Sequence, residues 1–590
     1  MKRVKRGDKL YEYVQLVKGE RVGGKVRQQV VATLGRLDEL KASGELERLA
    51  GAFTRLDPPP LGSRREVGPL LLVRAILARL SLGEVIDRLA PMRGNALLTH
   101  GEAIEALIAN RLCAPAPLYD VSGWASSAAL QELFGTPAGL LNDDRLGRAL
   151  EALAPVAERV RGEAALRALQ TFEVDISRLH VDLTKLRFAG AYLDSTLVAK
   201  GWGPDRRIAR QVQALQAVSA DGVPIYVRPH AGNSAEVTAF SEGLERLRAL
   251  LPSGGVIVAD SALGNLKNLC AAQRAGITFV VPLRTSSGFQ KLYRQHGGDT
   301  ILRPLRYLPQ RQTQWPTGQR HRYRGAIRDW HVNDPSSGET HHFKIAFIHS
   351  SEEQATIEAA RERALHKAEN ALTRIRNGLG GRHYKTVHQV ERKVAQIVTS
   401  NLEPFLNVTV GSDPHHKPTI AWQRDNETIA ETARNDGIYA LATNLKGARL
   451  RASHVLRTYK AQEIVERRNH DLKATLHVRP IFLHNDDRIT ALISITGLAL
   501  LVYGLIEAEL RRAIAPNTHL PGLLPEQRAA KPTGANILNA FTHLATTYTQ
   551  QGLELDPLTR TQRTILAHLD IPLPWPEQQN PPTTKCGKRV

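Results

Sequence analysis

Three acidic residues of the 590-residue chain stand where carboxylates could do chemistry. Asp182 lies within the apolar stretch LHVDLTKLRF, and an ionised carboxylate in a core strand is costly unless it is paired or binds a cation. Asp260 ends the apolar stretch VIVAD, and the carboxyl ends of sheet strands are where functional groups collect. Glu466 lies in RTYKAQEIVERRNHDLKATL, which has a helical pattern. Together these acids could hold divalent ions, although each alone could equally cap a helix or face solvent.

The segment around Glu466 carries a row of different polar side chains. Tyr459, Gln462, Glu466 and Lys473 are spaced so that they fall within roughly 60° of one another on a continuous helix. On such a face the carboxylate suits a cation, the Lys a phosphate and the Tyr a base or sugar, so Tyr459, Gln462 and Lys473 are predicted DNA contacts. An ordinary solvated face is the alternative.

A second candidate surface is rich in arginine. The stretch Arg303–Arg328 contains seven arginines and no acid, with aromatic residues between them. Because arginine binds phosphates and aromatic rings stack on bases, we predict a DNA-contacting surface in which Arg320, Arg322 and Arg324 take part. A solvated basic hairpin is the alternative.

Other residues compete for a chemical role. Asp194, in AYLDSTL, is an alternative to Asp182, but Asp182 has the better strand around it. The pairs His341–His342 and His415–His416 suggest a metal, yet neither has Cys or acids at ligand spacing. The three cysteines form no CxxC pair, which argues against a structural zinc or a disulfide framework and for a reducing compartment.

The overall charge points to a polyanionic partner. The formal net charge is +21 and the pI is about 10.0, and nucleic acid is the commonest polyanion that such a chain meets. Hydrophobic residues at 42% and charged residues at 23% exclude a disordered or collagen-like chain. The N-terminus lacks the apolar stretch of a signal peptide. The 18 uncharged residues 489–506 are long enough for a marginal membrane span, but we interpret them as a helix buried in a large domain.

These candidate residues fall in regions of different pattern. The sequence predicts helices over Leu37–Leu49, 263–275 and 453–476, and a long helix that begins after Ser350 and ends before Gly378. It also predicts a strand at Val256–Ala259, a turn at Asp221-Gly222 and disorder from Pro572. We predict an α/β fold whose mixed sheet carries the acids, interrupted by a large insertion and preceded by a β-hairpin segment and a helical domain. The predicted divisions are a basic hairpin and helix segment (1–56), a helical, DNA-binding domain (62–168), the first part of the core (175–284), an insertion with a basic hairpin and a long helix (285–434), the second part of the core (435–515) and a C-terminal segment with a disordered tail (516–590).

The motifs together resemble the insertion-sequence DDE transposases of bacteria. The pattern Tyr-x2-Gln-x3-Glu-x6-Lys around Glu466 is similar to the Tyr-x2-Arg-x3-Glu-x6-Lys hallmark of their cut-and-paste group. Further similar stretches are LHVDLTKLRFAGAY, DGVPIYVRPHAGNSAE, VIVADSALGN, DGIYALATNL and RPIFLHNDDRI. The chain departs from the hallmark at Gln462, which stands in the position of the Arg.

The resemblance implies an RNase H-like core in which Asp182, Asp260 and Glu466 are catalytic and hold two Mg²⁺ ions, with Mn²⁺ as a substitute. The wide interval from Asp260 to Glu466, 206 positions against 78 between the two Asp residues, agrees with the insertion expected in this family. It also implies double-stranded DNA as substrate, namely the element's terminal inverted repeats and a target. A homodimer on paired ends and a cytoplasmic, nucleoid-associated location are further expectations. A catalytically silent DNA-binding derivative and a nuclease without strand transfer are the alternatives.

Overall fold

A computed structural model of the protein describes a large part of the chain. The described residues are 2–6, 9–22, 25–42, 60–92, 96–203, 207–261, 263–283, 292–293, 302–334, 337–447, 450–475, 483, 485–516 and 518–578. The chain divides into two compact units. The first unit contains Met1–Ala239 and Ile464–Val590, and the second contains Phe240–Glu463.

The order of the elements follows the predicted change of pattern, with strands first, then helices, then a mixture. The strands are β1 (Lys2–Arg6), β2 (Lys9–Val22), β3 (Lys25–Arg36), β4 (Arg64–Glu66), β5 (Arg178–Arg187), β6 (Ala199–Trp202), β7 (Ile208–Ser219), β8 (Pro224–Ala231), β9 (Val256–Ala259), β10 (Thr278–Pro282), β11 (Arg303–Pro304), β12 (Tyr323–Asn333), β13 (Thr340–Ser350), β14 (Leu406–Ser412), β15 (Pro418–Arg424), β16 (Ile438–Thr443), β17 (Ala545–Thr549) and β18 (Gly552–Leu555). The helices are α1 (Leu37–Ala42), α2 (Leu70–Leu80), α3 (Leu82–Leu89), α4 (His100–Cys113), α5 (Val121–Ser127), α6 (Leu130–Phe134), α7 (Asp143–Leu153), α8 (Ala157–Phe172), α9 (Glu236–Leu250), α10 (Leu266–Arg274), α11 (Ser351–Asn377), α12 (Val387–Ile397), α13 (Asn426–Ala433), α14 (Ala452–Lys460), α15 (Glu463–His470), α16 (Asp486–Ala513), α17 (Gly534–Asn539) and α18 (Arg560–His568).

The N-terminal segment forms a small antiparallel sheet. Strand β2 pairs with β1 on one side and with β3 on the other, so the two strand-like runs of the sequence do form a hairpin. The sequence places a turn signal at residues 19–24; Gly19 to Val22 belong to β2, and Gly23 and Gly24 lie outside the described residues. The helix predicted to run to Leu49 is described only as α1, because residues 43–59 also lie outside that part of the chain.

Helix α16 forms the core of the first unit. It contacts α2, α4, α7 and α8 of the predicted helical domain. By length and composition it could cross a membrane, but 94% of its most apolar 18-residue window is buried inside the protein. A helix that is apolar on every side packs in this way when it is enclosed by protein. This burial supports the interpretation of residues 489–506 as a core helix.

Two glycines of α16 allow strand β8 to approach it closely. A Cβ atom at Gly504 would lie 2.6 Å from Pro224 Cδ, and one at Gly497 would lie 3.0 Å from Val227 Cβ. Any larger residue at Gly504 would therefore push the strand away from the helix. The glycines of the uncharged stretch are thus explained by packing.

Strands β5–β8 form the sheet of the first unit that carries Asp182. Strand β7 pairs antiparallel with β5, β6 and β8. The turn between β7 and β8 is the predicted Asp221-Gly222 turn, in which Gly222 has a φ of 84° that favours glycine. The register places Asp182 opposite Gln216. The strand that carries the first candidate acid is therefore held along its length by β7.

The second unit contains a mixed sheet in the order β11-β12-β13-β16-β10-β9. Strands β9 and β10 are parallel and the other pairs are antiparallel. Helix α10 connects β9 to β10, as predicted from the alternating pattern. The hairpin β12–β13, predicted within the insertion, hydrogen-bonds along β16. The insertion hairpin thus extends the sheet that contains β9, the strand before Asp260.

The remainder of the insertion has a separate core. Helix α11 begins after Ser350, whose Oγ accepts from the N–H of Glu353 at 3.4 Å, and ends before Gly378, as the sequence predicts. It packs with α12, β14 and β15 through a cluster of apolar side chains. The buried members of this cluster are Leu365, Ala368, Leu372, Ile375, Val390, Leu406 and Ile420.

The C-terminal segment is more ordered than its composition predicts. Strand β17 pairs with both β18 and β4. The tail was predicted to be disordered from Pro572, but the N–H of Leu555 donates to Pro576 O and the N–H of Gln578 donates to Leu555 O. The prediction is wrong as far as Gln578, because backbone pairing overrides a Pro- and Gln-rich composition. Residues 579–590 lie outside the described part.

Candidate active site

Asp182 and Glu466 line the same open cleft in the first unit, which has a volume of about 320 Å³. Strand β5 supplies one wall, and helix α15 with the turn after it supplies another. The remaining residues that line the cleft are Leu183, Thr184, Lys185, Glu236, Asn469 and Lys473. Two candidate acids that are far apart in sequence are therefore brought to one place.

Hydrogen bonds to both oxygens orient the carboxylate of Asp182. Its Oδ1 accepts from the N–H of Leu183 at 2.8 Å, and its Oδ2 accepts from Nδ2 of Asn469 at 2.6 Å. Asp182 is half-buried, whereas its neighbour Val181 points into the core. The alternation of a strand thus turns Asp182 out of the core and toward the cleft.

Glu466 reaches the cleft from helix α15. Glu466 is exposed, and Asn469, three residues later, occupies a neighbouring position on the helix. Val465 and Arg468 are fully buried. The helix therefore presents Glu466 and Asn469 to the cleft while other residues anchor it.

The main anchor of α15 is the side chain of Arg468, which has no exposed surface. Its Nε donates to Gly222 O at 2.6 Å, and its Nη1 donates to Asp471 Oδ2 at 2.9 Å and to Glu507 Oε2 at 3.0 Å. Burial alone would lower the pKa of Arg468, but the carboxylates of Glu507 and Asp471 outweigh it and raise that pKa. Arg468 thus ties the Glu466 helix to the β7–β8 turn and to α16.

Glu507 is the buried acid of this network, and no pattern in the sequence indicated it. Burial alone would raise the pKa of Glu507, but Arg468, Arg467 and Arg511 hold it below the usual value. The N–H of Gly534 also donates to Glu507 Oε2 at 2.9 Å. A charge in this position stays ionised because several cations and a backbone donor surround it.

Two lysines of the cleft provide positive charge beside the acids. Lys185 Nζ lies 3.0 Å from Glu236 Oε1. Lys473 lies in a π-helical turn, Asp471–Thr475, which follows α15 directly. Such turns are rare and often occur at functional sites. Glu236 and Asn469 are members of the cleft that the sequence analysis missed; the spacing of Asn469 from Glu466 was the available signal.

Asp260 and Gln462 lie together in the second unit. Asp260 follows β9 directly and is half-buried. The amide of Gln462, oriented with its nitrogen toward β9, donates to Ala259 O at 3.3 Å and accepts from the N–H of Asp260 at 3.2 Å. Gln462 is only 8% exposed. The residue that replaces the hallmark Arg is thus buried against the backbone of the second candidate acid.

The segment predicted as one helix from 453 to 476 is interrupted. Helix α14 ends at Lys460, α15 begins at Glu463, and the π-helical turn follows. Neither Gly nor Pro marks the break, and the buried amide of Gln462 lies within it. The row of Tyr459, Gln462, Glu466 and Lys473 is therefore not on one continuous helix, because tertiary contacts interrupt the local pattern.

The other predicted DNA contacts lie in the second unit. Tyr459 is half-buried, with its ring centroid 6.5 Å from that of Tyr439. Arg324 is exposed on strand β12, and Arg322, also exposed, lies just before the strand begins at Tyr323. Arg320 is half-buried, and its guanidinium donates to Trp315 O at 2.8 Å and to Thr313 O at 3.0 Å. Arg322 and Arg324 are thus the more available of the three arginines.

Asp194, the competitor for the first acid, lines a different cleft of the first unit. It lies there with Ser195, Asn485, Asp486 and Asp487. Ser195 Oγ donates to Asp486 Oδ1 at 2.5 Å. The structure therefore places Asp182, and not Asp194, beside Glu466.

A buried group in the second unit also has the composition of a metal site. Among the described residues, ligand atoms of Cys270, Asp334 and His341 lie within 4.8 Å of one another. The carboxylate of Asp334 forms an ion pair with Arg274, so its charge is balanced without a metal ion. Cys270 is distant in sequence from Asp334 and His341, so the sequence pattern did not bring the three residues together. None of the three candidate acids belongs to this group.

The cleft of the first unit fits a hard divalent cation better. Asp182 and Glu466 provide carboxylate oxygens, and Oδ1 of Asn469 is buried without a hydrogen-bond partner among the described residues. Mg²⁺ is usually bound through one or two carboxylates together with water and substrate phosphates. The carboxylate and amide oxygens of the cleft are therefore of the kind that binds Mg²⁺.

Comparison with known families agrees with this geometry. Residues 181–502 match the transposase DDE domain, residues 1–58 match the N-terminal domain of the IS1634 family transposases, and residues 63–158 match a domain of unknown function (DUF4277). No curated protein matches the chain. The DDE match spans more than half of the sequence and includes Asp182, Asp260 and Glu466. The chain belongs to the DDE transposases of insertion sequences.

Proposed function

We propose that this transposase binds the terminal inverted repeats of its own insertion sequence, cleaves the DNA ends and joins them to target DNA. The observation that carries the proposal is the cleft in which Asp182 and Glu466 meet. Asp260 is the third proposed catalytic and metal-binding acid. This assignment is based on its position at the end of the motif VIVAD and on the resemblance of the chain to DDE transposases.

The reaction is hydrolysis followed by transesterification. Water attacks a phosphorus at the element end, and the bond to the 3′ oxygen breaks to give a 3′-OH. That hydroxyl then attacks a phosphorus of the target strand, and the target's own 3′ oxygen leaves. Two bound Mg²⁺ ions, or Mn²⁺ in their place, would activate the attacking oxygen and stabilise the leaving one.

The residues of the chain hold the DNA for these steps. In the cleft, Lys473 would bind a phosphate beside Asp182 and Glu466. In the second unit, Tyr459 and Gln462 are the remaining proposed DNA contacts of the motif, and the proposed contacts of the insertion are Arg320, Arg322 and Arg324. The basic N-terminal segment and helices of 62–168 would bind the inverted repeats. We also propose a homodimer on paired ends and a cytoplasmic location near the nucleoid.

The test uses the full-length protein, a duplex that carries the element's end and Mg²⁺. We expect strand cleavage at the end and, with a target duplex present, joined products. A matched reaction with a pre-cleaved end that exposes a 3′-OH isolates the joining step. Joining without Asp182, Asp260 and Glu466 would contradict the proposed site. Specific binding without cleavage would favour the silent DNA-binding alternative, and cleavage without joining would favour the nuclease.

A further inference from the structure

One residue of the cleft contacts a proposed catalytic acid directly and has no assigned role. Asn469 is 8% exposed, and its Nδ2 donates to Asp182 Oδ2 at 2.6 Å. Its Oδ1 is buried and has no hydrogen-bond partner among the described residues. A buried amide that uses only its nitrogen is incompletely satisfied by the protein, which is costly unless the arrangement serves another purpose.

We propose that Asn469 is the positioning residue for Asp182: its amide fixes the carboxylate in the orientation that accepts a divalent cation. This inference rests on the proposed function, because it assumes that Asp182 binds the ion. With Leu183 N–H on Oδ1 and Asn469 on Oδ2, both oxygens are held before the ion arrives. Partners of this kind orient ligands and commonly change metal affinity by 10–100-fold when they are removed.

The chemistry of the side chain suits this role. A carboxylate oriented by Lys or Arg would already be neutralised, and that cation would repel the metal. The amide of Asn469 is neutral, so it orients Asp182 without adding positive charge to the cleft. The carbonyl oxygen of the same amide is a donor of the type that hard cations accept.

The placement of Asn469 follows from helix α15. Asn469 stands three residues after Glu466, so one element delivers both residues to the cleft. Between them, Arg468 is buried and bound to Gly222, Asp471 and Glu507. The helix is thus anchored on one side while it presents Asn469 to Asp182 on another.

The test measures cation binding directly, without DNA and without catalysis. Full-length protein is titrated with Mn²⁺, and free Mn²⁺ is followed by electron paramagnetic resonance. The site is defined as the binding that Asp182→Asn removes. We expect Asn469→Ala to raise the dissociation constant of that site by about tenfold or more. The matched control is His470→Ala, an exposed neighbour outside the cleft, which we expect to bind Mn²⁺ as the wild type does.

The outcomes separate this inference from the proposed function. Wild-type affinity in Asn469→Ala, with binding lost in Asp182→Asn, would overturn the positioning role alone. Full binding in Asp182→Asn would overturn the cation site itself. If Asn469→Ala does not fold, as judged by thermal unfolding, Asn469→Ser replaces it and carries the same expectation. Asn469→Gln retains the amide, and we expect it to recover part of the affinity, which a purely structural defect would not predict.

Discussion

The cleft around Asp182 and the arginine strand β12 are both predicted to meet DNA, but they are built in opposite ways. In the cleft, Asp182 accepts hydrogen bonds from Leu183 and Asn469, Lys185 forms an ion pair, and a buried network lies behind Glu466. At the arginine strand, Arg324 on β12 and Arg322 just before it are both exposed. The difference fits the proposed roles, in which the cleft would hold reacting groups in fixed positions and the arginines would supply charge. Substitutions in the cleft should therefore impair DNA cleavage, whereas substitutions of the arginines should impair DNA binding.

The largest effect is expected from the acids. Asp182→Asn, Asp260→Asn and Glu466→Gln should each lower end cleavage by about 1000-fold or more, because each removes a charge that holds the activating cation. Affinity for the end duplex should stay within about twofold, since the basic contacts remain. Cleavage is measured on a labelled duplex and affinity by fluorescence anisotropy. Cleavage within tenfold of wild type would remove that residue from the site.

A second prediction concerns the network behind the cleft. Glu507→Gln should lower the free energy of unfolding by about 3 kcal/mol, because it leaves the buried guanidinium of Arg468 without its main counter-charge. The control is Glu509→Gln on the same helix, whose partners Arg79 and Arg512 are partly exposed and whose loss should cost less than about 1 kcal/mol. Urea unfolding monitored by circular dichroism gives both values.

The effect of Glu507→Gln has a pH dependence of known sign. The pKa of Glu507 is lower in the folded protein than the usual value of 4.5, so ionised Glu507 stabilises the fold above that pH. This contribution is lost as the pH falls through the folded pKa. The difference in stability between wild type and Glu507→Gln should therefore shrink below about pH 4.5. A difference that grows in acid would contradict the assignment.

The arginine strand should show the opposite behaviour to the acids. Arg322→Ala combined with Arg324→Ala should weaken DNA binding by on the order of tenfold and make the salt dependence shallower by about two phosphate contacts. Cleavage at saturating protein should change little. Arg363→Ala, an exposed arginine of α11, serves as a control for net charge. If Arg363→Ala weakens DNA binding as much as the double variant does, the loss of affinity would show only a general charge effect.

Lys473 tests whether the cleft itself binds backbone phosphate. Lys473→Ala should weaken binding a few-fold and reduce the salt slope by about one contact. The experiment is the same anisotropy titration from low to moderate salt, with His470→Ala as the neighbouring control. An unchanged slope would assign Lys473 to the structure of the π-helical turn.

The smallest effect is expected at Gln462, where sequence and structure suggest different results. From the motif, Gln462→Arg should add about one phosphate contact and steepen the salt slope. Its burial against Ala259 and Asp260 suggests that a guanidinium there would cost stability. A steeper slope with unchanged thermal stability would support the DNA contact. Lower stability with an unchanged slope would assign Gln462 to holding the end of β9.

Local pattern was sufficient for much of the fold. Strand β9 has the bounds predicted for it, the β7–β8 turn lies at Asp221-Gly222, and α11 lies between Ser350 and Gly378. Each of these is set by residues close in sequence: a β-branched run, a glycine with positive φ, a cap. The same local patterns could not show that β12–β13 pairs with β16, since strand pairing depends on distant residues.

The sequence by itself determined which acids were candidates, because few carboxylates stand in apolar strands or within so specific a row of spaced residues. It also determined the basic character of the protein surface that is predicted to bind DNA. The tertiary structure decided which candidates meet: Asp182 with Glu466, and Asp194 elsewhere. It also broke the segment around Glu466 into separate elements and added Asn469 and Glu507. These features depend on which side chains are buried together, and burial is fixed only when elements distant in sequence pack.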